Sequence, residues 1–105
     1  HRQVEQDYQT EQAEKTFLYE LTEKEGILND VYYKEMLLII RLTLEKMPKR
    51  RREIFELSRF SGLSHKEIAG KLDISIRSVE HQVYLALIEL KKALLFFIIL
   101  ANIFK

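Results

Sequence analysis

Arg77, Ser78, Glu80, His81, Gln82 and Tyr84 crowd hydrogen-bonding and ionic groups into one short stretch, interleaved with Val79 and Val83. Coiled as a helix, the stretch puts Val79, Val83, Ala86 and Leu90 on one apolar face and leaves the polar side chains off it. Such groups suit the edges of DNA bases. Gln pairs with adenine and Arg with guanine, each good bidentate contact giving about 1–3 kcal/mol of discrimination. Phosphate chemistry has its own candidates in Arg50, Arg51 and Arg52, which follow Lys49, and in Lys66. Ser64 and Ser75 each stand where a helix would begin, and free N–H groups at helix starts bind phosphates. Cations at the start of a helix oppose its dipole by roughly 0.3–1 kcal/mol each, a cost that nearby phosphates would offset. The plain alternatives are a solvated charge run and an exposed His81 without a role. Catalysis has little to stand on. His1, His65 and His81 are the histidines, none at metal-ligand spacing from another, and there is no cysteine and no Gly-rich phosphate loop. No catalytic, cofactor-binding or metal residue is assigned, and no cofactor is expected.

The elements that must position these groups are helices. Gly62 can take the left-handed conformation that ends one, and Ser64 with Glu67 makes a capping box that starts the next. Ile68, Ala69 and Leu72 give that short helix an apolar face. After a break at Asp73-Ile74, Ser75 caps a helix beginning at Ile76 and running to about Lys92. A short helix, a tight turn and a longer helix make a helix-turn-helix. Ahead of it, Ile54, Phe55, Leu57 and Phe60 face inward and Arg59 does not, while Pro48 ends one helix or opens the next. Asn29 or Asp30 can cap a helix over residues 31–47. Its stripe of Tyr33, Leu37, Ile40, Leu44 and Met47 is doubled by Tyr32, Met36, Leu38, Ile39 and Leu42, so something else must cover it.

Charge divides the chain. Residues 1–30 carry three Lys/Arg and eight Asp/Glu, and residues 31–105 carry fourteen and eight. An acidic arm, with a helix expected from about Glu11 to Glu25 and a stop at Gly26, therefore precedes a basic module suited to a polyanion. The absence of cysteine suits a reducing cytoplasm. The chain opens at His1 without an initiator Met or a signal sequence and reads as part of something longer. With three Gly and one Pro, the expected class is all-α, a small helical bundle. The tail over residues 93–105 contains ALLFFIILANIF, apolar on every helical face and short of the roughly 20 residues of a membrane span. It is expected as an extra apolar C-terminal helix, either buried against the helix over 31–47 or serving a partner or self-association.

Residues 48–92 resemble region 4 of the sigma-70 family, in particular the extracytoplasmic-function (ECF) sigma factors. The resemblance rests on Leu44 to Pro48, Arg52 to Leu57, the Gly62-Leu63-Ser64-His65-Lys66-Glu67-Ile68-Ala69 turn and Ile74 to Glu80. It implies a winged-helix-like domain without the wing, spanning 31–105, after an interdomain linker over 1–30 whose first residues end the preceding domain. It also implies a transcription initiation factor that recognises double-stranded promoter DNA at the minus-35 element and recruits core RNA polymerase in the cytoplasm. Anti-sigma factors occlude this domain in the family. Positions matching Glu80, His81 and Tyr84 face bases there, and those matching Lys66 and Arg77 lie near the backbone. One departure matters: Leu85 stands where many relatives carry a DNA-contacting Arg, and Leu87 and Ile88 follow where Lys or Arg is common. The competing readings are the output domain of a response regulator, which would lack the long helix before Pro48, and a protein-interaction module with a vestigial helix-turn-helix.

Overall fold

The structure, a computed structural model, describes the backbone of residues 2–25 and 32–104 and the side chains of residues 11–22 and 32–104. Gly26 as a helix stop and Asn29 or Asp30 as a cap lie outside the described residues. The described residues form α1 (Arg2–Glu25), α2 (Tyr33–Lys46), α3 (Lys49–Arg59), α4 (His65–Leu72) and α5 (Ile76–Ile103). The class is all-α, as expected, with a helix-turn-helix made by α4 and the first half of α5.

Two apolar clusters hold it together. The larger joins Phe17 and Leu18 of α1 to Met36, Leu37, Ile40 and Leu44 of α2, Phe55 of α3, and Ala86, Leu90 and Leu94 of α5. The smaller sits under the helix-turn-helix and joins Ile54 to Ile68, Ala69, Val79 and Val83. Leu87 packs against both. Ile54 and Phe55, neighbours on α3, each fill a different cluster, so α3 is the wedge that sets one half of the molecule against the other.

Helix boundaries follow local chemistry. Met47 is extended (φ −68°, ψ 154°), as a residue before proline prefers. Pro48 stands at the N-cap of α3, where its carbonyl accepts from the Arg52 N–H at 3.0 Å. Gly62 has φ +71°, and Leu63 N–H donates back to the Leu57 carbonyl at 3.0 Å to close α3. Asp73 ends α4 in the left-handed region at φ +55°, while Ile74 N–H donates to the Ala69 carbonyl at 3.0 Å.

Two elements extend beyond their expected bounds. α1 starts at Arg2 rather than near Glu11, because Gln- and Glu-rich sequence favours helix without apolar periodicity. It docks through Phe17 and Leu18, and its Glu14 is buried and accepts from Arg41 Nε at 2.9 Å. The tail is not a helix of its own: α5 runs unbroken to Ile103, since no Gly or Pro interrupts it. Leu94 is buried, Phe97 and Ile98 pack against the larger cluster, and the Tyr32 and Phe97 rings meet edge-on at 5.7 Å. Leu95, Phe96, Ile99, Ile103 and Phe104 remain exposed, Phe104 by 81%. Among the described residues no helix is long and apolar enough to cross a membrane.

Candidate nucleic-acid interface

The first half of α5 is held by its buried stripe. Val79 and Val83 are buried in the smaller cluster with α3 and α4, and Ala86 and Leu90 in the larger one, so helical geometry turns Arg77, Ser78, Glu80, His81 and Tyr84 to solvent. Tyr84 is 61% exposed. Gln82 differs from its neighbours. It is half-buried, and its side-chain Oε1 accepts from Arg51 Nε at 3.0 Å.

Both helix starts are capped as expected. Ser64 Oγ accepts from the Glu67 N–H at 3.0 Å and the Glu67 carboxylate accepts from the Ser64 N–H at 2.9 Å. Ser75 Oγ accepts from the Ser78 N–H at 3.0 Å and donates to Ser78 Oγ at 2.9 Å. The Ser64 hydroxyl and N–H are thereby committed to the capping box. A carboxylate stands at that helix start, while the start of α5 carries none. Lys66 is exposed in the first turn of α4.

The Ser64 backbone N–H, and then its hydroxyl, hold the Glu67 carboxyl below its ordinary value of 4.5. A lowered folded-state value means that the unfolded chain binds the proton more readily. The stabilisation is therefore fully present above 4.5 and lost as pH falls through the lower folded value. Glu67→Gln should flatten this acid dependence. Thermal melts of both proteins between about pH 5 and pH 3 check it, and parallel curves would count against the capping box.

The arginine run has internal partners. Arg50 pairs with Glu53 at 3.3 Å, Arg52 with Glu56 at 3.4 Å, and Arg51 with Glu89 of α5. These pairs offset part of the cost of cations at this helix start, and Arg50 and Arg52 stay exposed beside them. Glu89 went unnoticed in the sequence. The signal was there in its spacing of two helical turns from Gln82. Among the described residues no group of His, Asp and Glu is arranged to hold a metal ion.

Residues 37–90, from within α2 to the middle of α5, match the family model described as sigma-70, region 4. A stretch of 52 residues is 40% identical to the RNA polymerase sigma factor SigZ of Bacillus subtilis (strain 168), covering 50% of this chain and 30% of that protein. The chain therefore spans under a third of that relative's length. No solved structure matches it. With the family match covering half of the chain and falling on the helix-turn-helix and the helices that carry it, the protein belongs to the sigma-70 region 4 family.

Proposed function

We propose that the chain is the DNA-binding module of an ECF-type transcription initiation factor, which recognises the minus-35 promoter element and contacts core RNA polymerase in the cytoplasm. The observation that carries this is the outward row of α5, polar and rich in hydrogen-bonding groups, on a helix whose opposite stripe is buried. A helix so mounted can enter the major groove with its first turns toward base edges. In this reading Glu80, His81 and Tyr84 face bases, while Arg77, Lys66, Ser75 and Ser78 face the backbone. Arg50 and Arg52 each engage one nitrogen with Glu53 or Glu56 and keep further N–H donors for phosphates. The protein acts by binding rather than by catalysis, and residues 1–30 serve as the link to a preceding domain.

The test is transcription by core polymerase with a sigma factor whose region 4 is replaced by this chain. Initiation should then depend on a new upstream motif. A motif unchanged from that of the parent factor would overturn the reading.

The exposed apolar side of α5 favours a second role beside the first. Leu95, Phe96, Ile99 and Ile103 form a stripe without charge, the kind of surface that marks a protein contact, and an anti-sigma factor or a second copy of the chain would suit it. Phe96→Ser with Ile103→Ser should leave stability within about 0.5 kcal/mol, as expected for exposed positions. The same change should abolish association measured by sedimentation. Association that persists would move the contact elsewhere.

A further inference from the structure

Arg50, Arg51 and Arg52 are alike in sequence and unlike in space. Arg50 and Arg52 pair within α3 and keep 55% and 42% of their side chains exposed, whereas Arg51 keeps 20% and reaches another helix. Its Nε donates to Gln82 Oε1 at 3.0 Å and its Nη1 donates to the Glu89 carboxylate. Gln82 and Glu89 lie two turns apart on α5, on either side of the buried Ala86. The buried stripe already sets the rotation of α5, and two attachments on one further face hold that rotation against small departures. Pairing with adenine needs both ends of the glutamine amide, acceptor and donor, and here the Arg51 bond turns the acceptor toward α3.

We propose that Arg51 is a positioning residue for DNA recognition: by tying Gln82 and Glu89 to α3 it steadies the face that α5 presents and withholds Gln82 from base edges. This rests on the DNA reading above. Arg51 then touches no phosphate, and the specificity surface is set by Glu80, His81 and Tyr84 at a rotation that the buried stripe sets and the bridge holds.

The experiment is titration of the full chain with a duplex enriched by that chain from a randomised pool, and with a scrambled duplex, across a range of salt. Arg51→Gln should lower the ratio of the two affinities about five- to tenfold while leaving the slope of log K against log salt unchanged. A phosphate contact would behave otherwise, weakening both duplexes alike and lowering the slope by about 0.9; that result would overturn the proposal.

Arg51→Lys keeps the charge without the planar fork and should lose the ratio too, so full retention by Lys would also overturn it. This variant carries the test if Arg51→Gln does not fold. Glu89→Gln should lower the ratio similarly, and the double variant no further, because both act through one bridge; additive losses would contradict a shared bridge. If the unaltered chain binds no duplex in a salt-dependent way, the DNA reading itself fails and the proposal with it. If the chain binds and the variants keep its ratio, the proposal alone fails.

Discussion

Phe55→Ala should remove about 3–5 kcal/mol of folding stability, the range for deleting a buried aromatic side chain. Phe55 is fully buried. Its ring meets those of Phe17 and Phe60 edge-on, with centroids at 5.2 Å and 5.8 Å, an arrangement that adds roughly 0.5–1.5 kcal/mol per pair beyond burial. It also joins α1 to the wedge formed by α3, so the cavity would open where several elements meet and little can collapse into it. Domains of this size hold about 5–15 kcal/mol in all, and the variant should sit near its unfolding threshold. Urea unfolding followed by circular dichroism reads the loss. A change below about 1 kcal/mol, the typical result for a site outside a core, would show that α1 does not close over this cluster.

Arg77→Ala combined with His81→Ala should lower the preference for an enriched duplex over random DNA roughly 10- to 100-fold, the loss expected from about 1–3 kcal/mol per good base contact. Both side chains are exposed, so stability should hardly change, and the effect is separable from folding. The loss of preference comes from His81, and loss of the Arg77 contact to the backbone should lower the salt slope by about 0.9 in the same titration. An unchanged preference would remove the outward row of α5 from the recognition surface.

The helix-turn-helix was legible because its signals are local. Gly62, the Ser64 and Glu67 pair, and Ser75 act on backbone groups within a turn of themselves, and each occupies the position that its chemistry requires. The inward set of Ile54 and Phe55, with Leu57 and Phe60 partly covered, was legible for a similar reason, since 3.6-residue periodicity fixes a face before any partner is known. What escaped depends on partners distant in sequence. Arg51 resembles Arg50 until Gln82 and Glu89 are brought beside it by the crossing of α3 and α5. The tail is apolar all round, so its pattern could not say which side α2 covers. Leu94, Phe97 and Ile98 take the covered side and Phe96 and Ile103 the open one only because α5 continues in phase from Val79. Asp73 shows another limit. A left-handed residue without glycine is uncommon, and sequence marked only a break there.

The measurement that bears most directly on the central claim is selection of duplexes from a randomised pool by the purified chain, followed by titration of the recovered sequence across salt. One motif should be enriched and bound in preference to random DNA, with affinity falling steeply as salt rises because phosphates are neutralised. Recovery of no motif, or binding indifferent to both sequence and salt, would contradict it and leave the apolar side of α5 as the surface through which the protein acts.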